Sequence, residues 1–414
     1  MSRGWVRLQA VAVSGSVAEG LMLSVLPWIA ATITSDPRQL SLVNVVGQAP
    51  WLVFSLFAGV LIDRVRRSAV LASAYAVQAC AALTLAVAGL ADAVSLPLLV
   101  VLAFVVTSAQ VLGDGATGAL VAEVVEPSRL PAANTRMLVI DRGVVQFVVP
   151  PVAGFLVAFG LGMPAWLAVA AAVVALALVR GVRSAPVTPS AKHPLRDIAE
   201  GLRFLVRTRL LLSITVAVGL GSFAAAATMA MFVLYVKELL GLGSVGYGVM
   251  LAAMAAGWVV SSFVVGRVVD RFGYAWCMRL SQVGMVVTIA LFAVLPPWAW
   301  AVAVVMFAQS ATVMVWNVCS QSSRQRFTPA GLLGRVLTSH RALAWGLTPL
   351  GALAGGFVAA GFGLRAVWVM ATVIQVGALV TAWLGLSPKA FREAELVVVG
   401  RGDEEPRRTS RSAG

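Results

Sequence analysis

Twelve stretches of this 414-residue chain are nearly free of charge, and each is long enough for a helix to cross a lipid bilayer. A membrane helix needs about 20 mainly apolar residues to span a hydrocarbon core of roughly 30 Å. The stretches lie at about 5–33, 40–62, 69–91, 96–122, 134–160, 163–181, 209–236, 243–268, 274–295, 298–323, 336–361 and 364–386. Inside hydrocarbon the backbone N–H and C=O groups must be satisfied within the chain, which leaves helices or closed barrels. Barrel strands alternate apolar and polar residues over about 10 positions. These stretches do not alternate, so the sequence predicts an all-α integral membrane fold of twelve transmembrane helices. Composition agrees, with 60% of residues hydrophobic and 12% charged, against about 25% charged in soluble domains. So sparse a charge cannot cover a water-facing surface. A cytosolic enzyme, a disordered chain and a secreted disulfide scaffold are excluded.

The position of the charge sets the topology. Arg3, Arg7, Arg64, Arg66, Arg67, Arg129, Arg136, the stretch from Arg180 to Arg209, Arg267, Arg271, Arg279, Arg324, Arg326, Arg335 and the C-terminal tail fall on one side of the spans. Only Arg38, Lys237 and Arg365 fall on the other. Basic loops stay cytoplasmic, so both termini are expected inside the cell and the protein in the cytoplasmic membrane. The net charge of +14 is spread along the chain and not gathered in one module, so no nucleic-acid partner is expected. The first apolar run exceeds the core of a cleavable signal, about 7–15 residues, and is read as a retained span. Between spans six and seven, the linker 182–208 carries Pro186, Pro189 and Pro194, then Leu195, Ile198, Leu202 and Leu205 at helical spacing with arginines between them. That pattern suits a helix lying at the inner membrane surface. The linker separates an N-terminal six-helix bundle, 1–181, from a C-terminal one, 209–386. The charged tail, 387–414, is expected to be disordered.

The two halves carry matching clusters. Gly59, Asp63 and Arg64, with Arg67 just beyond, close the second span; Gly266, Asp270 and Arg271 close the eighth, about half a chain later. Arg136, Arg142 and Pro150 of span five recur at the same spacing as Arg335, Arg341 and Pro349 of span eleven. Two matches in the same order argue for a duplicated six-helix unit, and parallel repeats of this kind build two bundles that rock about a central site. On these residues the sequence resembles the major facilitator superfamily, whose signature loop between spans two and three is repeated between eight and nine. Pro50, Trp51 and Leu52 leading into Gly59, Glu200 to Leu205 before span seven, and Gly334, Arg335 and Val336 leading to Pro349, Gly351, Gly355 and Gly356 are similar to its macrolide-efflux and enterobactin-exporter branch. The resemblance implies two pseudo-symmetric six-helix bundles in a monomeric secondary transporter working by alternating access. Two departures from many drug antiporters of that family stand out. Span five reads Pro150, Pro151, Val152, Ala153, Gly154, Phe155, and Thr107 to Val111 of span four carries no arginine.

Ionisable side chains at mid-membrane cost roughly 2.5–3.5 kcal/mol to insert, so those that remain are functional candidates. Glu19 is at the middle of span one and Asp114 is inside span four. By the resemblance both spans line the central cavity, where a desolvated carboxylate is placed to exchange protons. A hydrogen-bonded structural acid is the competing reading of Glu19, and capping of a kink between Gly113 and Gly115 that of Asp114. Gly59, Asp63, Arg64, Arg67, Gly266, Asp270 and Arg271 are candidates for a conformational lock. In such a lock the Asp accepts from a helix N-terminus and pairs with arginine, and the glycine admits a close helix; a solvated basic loop is the alternative. Arg142 and Arg341 lie about 9 Å beyond Arg136 and Arg335 at 1.5 Å per residue. They either pair with acids such as Asp63 or Asp270 or snorkel to the interface. Asn44, Gln48, Trp51, Gln110, Gln146, Phe147, Met229, Tyr235, Gln309, Trp316 and Asn317 form, as a set, a candidate cavity lining for bulky amphipathic compounds. Taken singly, each reads as packing.

The sequence carries no enzyme signature. The glycine clusters at Gly113 to Gly115 and Gly241 to Gly243 lack the strand and helix that a nucleotide-binding motif requires, and without a Walker sequence ATP is not the direct energy source. Cys80, Cys277 and Cys319 have no metal-ligand spacing and read as small apolar residues; His193 and His340 stand isolated. No cofactor or metal is expected, and the proton-motive force is the expected energy source. The reading is an exporter of amphipathic small molecules such as an antibiotic, siderophore or secondary metabolite, with that substrate, protons and membrane lipids as its partners. An uptake transporter of the same fold, or a membrane protein that keeps the fold without transport, are the alternatives.

Overall fold

The computed structural model describes residues 3–62, 65–126, 130, 133, 136–137, 140, 143–182, 194–328, 332–387 and 389–392. Asp63, Arg64, Arg142, His193 and the tail beyond 392 lie outside the described residues. Every predicted span is helical where it is described, and the described residues contain no strand. Spans one to four are Arg3–Ile33, Pro37–Ile62, Arg67–Leu90 and Leu96–Val124. The turn into span two is fixed by Asp36, whose Oδ1 accepts from the Arg38 N–H at 2.9 Å, with proline at the first helical position. Span five is described from a π-helical turn, Val144–Val148, that continues as Val149–Val157. Span six is Met163–Val179, and span seven is Arg209–Leu234, ending in a second π-helical turn, Tyr235–Leu239. Spans eight and nine are the two arms of Ser244–Val294, broken where Gly273 takes φ 73° and ψ 161°. That left-handed backbone is open to glycine at little cost. Span ten is Ala299–Arg326, span eleven comprises Leu333–Trp345 and Thr348–Phe362, and span twelve is Leu364–Gly385.

The repeated prolines of spans five and eleven disturb both helices in the same way. Proline has no N–H to bond the carbonyl four residues back. The π-helical turn immediately precedes Pro150, and the break between Trp345 and Thr348 immediately precedes Pro349. A π turn absorbs such a defect without ending the helix.

The chain divides into two compact units, one of 1–191 with 229–255 and 352–364, the other of 192–228 with 256–351 and 365–414. In the first unit, span six turns Ala165, Ala168, Ala172 and Ala175, all fully buried, toward spans one and three. Small residues let helix backbones approach where no hydrophobic effect drives them together. The same helix exposes Trp166, Leu167, Val173 and Val174 on its far side, a surface suited to hydrocarbon and not to water. Trp5, Leu8, Leu71, Tyr75, Leu120 and Val179 belong to the core of this unit. In the second unit the core draws on spans seven to twelve and includes Leu210, Ile214, Val265, Met278, Trp316, Cys319 and Val336.

The linker segment Pro194–Arg207 is helical. Phe204 and Leu205 are buried in the core of the second unit while Leu202 is exposed, so part of its apolar side meets protein. The amphipathic pattern identified the helix but not which surface its apolar side would meet.

Candidate functional site

Glu19 is 7% exposed within the first unit, and Gln110 of span four donates from Nε2 to its Oε1 at 2.5 Å. Local sequence creates the space for this pair. A Cβ on Gly20 would lie 3.1 Å from Val149 and 3.2 Å from the Val145 backbone, so span one sits directly against span five beside Glu19. The Tyr75 ring of span three occupies the space that a Cβ on Gly15 would need. Pro27 leaves the Leu23 carbonyl without its helical donor, about one turn beyond Glu19. Asp114 follows Gln110 by four positions on span four, so the two share a helix face, and Asp114 is exposed. A glutamine amide donates to an ionised carboxylate through its NH2 group and accepts from a protonated one through its carbonyl. Gln110 therefore serves both protonation states of Glu19, whereas an arginine would serve only the charged one.

The remaining candidates fall in several environments. Asn44 is half-buried and donates to the Leu40 carbonyl of its own helix at 3.2 Å. Gln48, Met229 and Asn317 are exposed, and Trp51 and Gln309 are half-buried, Trp51 against the core of the first unit. Tyr235 is 1% exposed and stacked on Phe232, and Trp316 is 4% exposed within the core of the second unit. Neither offers a lining surface in this conformation; their bulk fills core. Gln146 and Phe147 ride on the π-helical turn of span five, and their side chains lie outside the described set.

The end of the spans that carries the arginines holds the lock candidates. Gly59 is within the helix Pro37–Ile62. Arg67, at the start of span three, pairs with Glu123 at the end of span four, an acid that the sequence reading passed over. Asp270 and Arg271 are exposed, with the Arg271 guanidinium 5.9 Å from the Phe272 ring centroid. Among the described residues a Cβ on Gly266 would meet nothing within 4 Å, so no described helix packs against that glycine. Arg341 lies over its own helix neighbour Trp345, 5.8 Å from the ring centroid.

His340 is not isolated, which corrects the sequence reading. Thr215 donates from Oγ1 to the Leu211 carbonyl at 2.8 Å, which leaves the hydroxyl as an acceptor for the Nδ1–H of His340, also at 2.8 Å. Nε2 then accepts from Nη1 of Arg324 at 2.7 Å, and the same guanidinium nitrogen donates to Ser320. A neutral ring in one tautomer satisfies the whole chain of bonds, tying spans seven, ten and eleven together. Cys277 and Cys319 share the nearby core, as their apolar reading required.

At the opposite end, the first unit brings early spans onto late ones. A Cβ on Gly154 would lie 2.7 Å from the Ser244 carbonyl oxygen and 3.0 Å from the Gly248 Cα, and one on Gly356 would overlap the Ser41 side chain. Trp28 meets Tyr247 at 5.5 Å between ring centroids, and Tyr247 meets Phe232 at 6.0 Å. The scattered cations of this side are all engaged. Lys237 donates to the Ala31 carbonyl near the end of span one, Arg38 stands 5.5 Å from the Phe357 ring centroid, and Arg365 donates to the Leu295 carbonyl at 3.4 Å. Helix C-termini leave carbonyls unsatisfied and favour positive charge. Spans one, two and five are thereby closed onto spans seven, eight and eleven at this end.

Among the described residues, eight helices are long and apolar enough to cross a membrane, and one of them buries an acid, Glu19. Residues 10–347 match the profile of the Major Facilitator Superfamily, and the chain belongs to that family. Among curated relatives, the enterobactin exporter EntS of Escherichia coli O1:K1 / APEC is 26% identical over 263 residues, 60% of this chain and 61% of the relative. The chain thus aligns with less than two thirds of that relative's length. A bacterial homologue of the iron transporter ferroportin in the inward-facing state superposes with a TM-score of 0.77 at 17% identity, covering 94% of this chain and 100% of that one. A point mutant of the nucleoside transporter NupG gives 0.76 at 12% identity, covering 93% and 100%. At these identities the likeness carries the fold alone.

Proposed function

We propose that this protein is a secondary active exporter of amphipathic small molecules, such as an antibiotic, a siderophore or a secondary metabolite, energised by proton antiport. The observation that carries the proposal is the Glu19–Gln110 pair: a buried acid whose neutral partner fits it with or without a proton. Asp114, on the same face as Gln110 and exposed, is the second acid of the path. Outward direction is drawn from the relative that is named an enterobactin exporter. The arginine-rich end is cytoplasmic, both termini lie inside the cell, and a single chain in the cytoplasmic membrane is the working unit. In this reading two six-span halves, 1–181 and 209–386, alternate access about a cavity lined by the polar and aromatic set, with the loops at Asp63 and Asp270 as inner locks. The closed contacts among spans one, two, five, seven, eight and eleven are the outer gate, and no cofactor takes part.

The test is transport in proteoliposomes under an imposed pH gradient, with enterobactin and a macrolide as compounds. The expected outcome is gradient-driven movement toward the face opposite the arginine-rich end, abolished in Glu19→Gln. If Glu19→Gln keeps the same rate and pH dependence, Glu19 is not the coupling group. Counterflow accumulating compound toward the arginine-rich face instead would make the protein an uptake transporter.

A further inference from the structure

Two sequence segments noted for their resemblance to one family branch, Glu200 to Leu205 and Gly334 to Val336, are the two sides of one contact. The linker helix Pro194–Arg207 lies on the half of span eleven that begins at Leu333. At Gly201 the backbones meet: a Cβ there would overlap the Arg335 carbonyl oxygen and fall 2.5 Å from its carbonyl carbon. Beside this crossing Glu200 and Arg335 form an ion pair. One turn further on, Phe204 and Leu205 enter the core of the second unit with Val336 and Phe327. The helix therefore presents glycine where the backbones touch, an acid at the rim to set the register, and two large apolar side chains to hold the dock.

What it holds is a short rod. Span eleven is interrupted at Gly346 and Leu347, so Leu333–Trp345 is a helix of its own, distinct from Thr348–Phe362. The rod carries Arg341 and His340, and His340 fastens it from the other side to spans seven and ten through Thr215 and Arg324. The linker helix at Arg335 and the buried histidine at mid-length are two of its contacts; Gly219 of span seven also comes close to Ala344 and Leu347.

We propose that Gly201 and the Glu200–Arg335 pair are positioning residues of the transport cycle: the linker helix stays docked and carries the arginine-rich half of span eleven as one body. Burial of Phe204 and Leu205 makes release costly, while the exposed ion pair adds little docking energy and fixes the register of the dock, so the helix acts as a permanent brace and not as a latch. The inference depends on the chain being a transporter but not on proton coupling or direction, and it survives or fails independently of Glu19.

The experiment uses the full chain in membranes, with Cys80, Cys277 and Cys319 replaced and a reporter cysteine at the exposed Ala342. Glu200→Arg and Arg335→Glu are each expected to change maleimide labelling of the reporter by about two- to fivefold, with ethidium efflux slowed in kcat and unchanged in KM. The exchanged pair, Glu200→Arg with Arg335→Glu, is expected to restore both to within about twofold. A rescue of this kind shows that the two side chains act on each other and not singly, and the kcat change at constant KM ties the pair to the transport cycle. Unchanged labelling in the single variants, or a double variant no better than either, overturns the proposal. Gly201→Leu is expected to disturb labelling more than either charge change; if it fails to assemble, Gly201→Ala meets the same backbone and takes its place. A separate Glu200→Cys and Arg335→Cys chain, oxidised to the disulfide, is expected to keep at least about half its ethidium efflux. Efflux lost on oxidation and recovered on reduction would mean that the helix must leave span eleven, and the brace would be wrong.

Discussion

A carboxyl group buried among helices must be paired or neutral, because an isolated ion there is very costly. Glu19 meets this condition through a residue that changes role with it. Gln110→Leu keeps the volume and removes the amide, so it is expected to lower thermal stability in detergent by about 1–3 kcal/mol and to slow pH-driven efflux, both measurable on the purified protein. If stability and efflux are unchanged, the hydrogen bond has no energetic role. His340 offers a second test on the same scale. His340→Leu removes one of the two acceptors of Arg324 Nη1, leaving Ser320, and takes the imidazole away from the buried Thr215 hydroxyl; the expected cost is again about 1–3 kcal/mol in thermal unfolding, while His340→Gln should recover part of it. Glu19 itself was legible in the sequence because one acid in a long apolar run is conspicuous. Its partner was not identified as such, since 91 residues separate them and Gln110 read only as one polar group among several. His340 was misread for the same reason: its partners are 125 and 16 positions away.

Helices are the level at which the sequence was clearest. Hydropathy located the helices, eight of which, among the described residues, are long and apolar enough to cross a membrane, and the repeated prolines marked where spans five and eleven would be irregular, although nothing in the pattern distinguished a π-helical turn from a break. Glycines show what spacing alone cannot. Gly154 is pressed against the backbone of span eight, so Gly154→Ala already places a methyl 2.7 Å from the Ser244 carbonyl oxygen. The expected cost is about 1–3 kcal/mol of stability from overpacking, read as a lowered thermal transition. Gly266→Ala meets nothing within 4 Å and is expected to stay within about 0.5 kcal/mol of the parent. Both glycines sit in apolar helices and look alike in sequence. Only the neighbour across the interface separates them.

For the molecule as a whole, the arginine map and the closed end describe the same asymmetry. Most cations mark one face, and the few on the other face are engaged in contacts between helices. Lys237 is the clearest of these, since a π-helical turn in span seven aims its ammonium at the last turn of span one. Lys237→Met keeps the stem and loses the charge-assisted bond. The expected result is about tenfold faster maleimide labelling of a cysteine at the fully buried Ser41 position, together with altered efflux. Labelling as slow as in the parent would remove Lys237 from the gate.

The sequence by itself determined the solvent of this protein, the places of its helices, the end at which its arginines gather and the presence of an acid inside its first span. All of these follow from residue type along one dimension, because partition between water and hydrocarbon is set by each segment's own composition. The tertiary structure decided the partners: Glu19 with Gln110, Arg335 with Glu200, Lys237 with Ala31, His340 with Thr215 and Arg324. Those pairings depend on how far each helix is rotated about its axis and how closely its small residues let another approach. Rotation and approach are settled by packing many side chains at once, so they appear only when the helices are assembled.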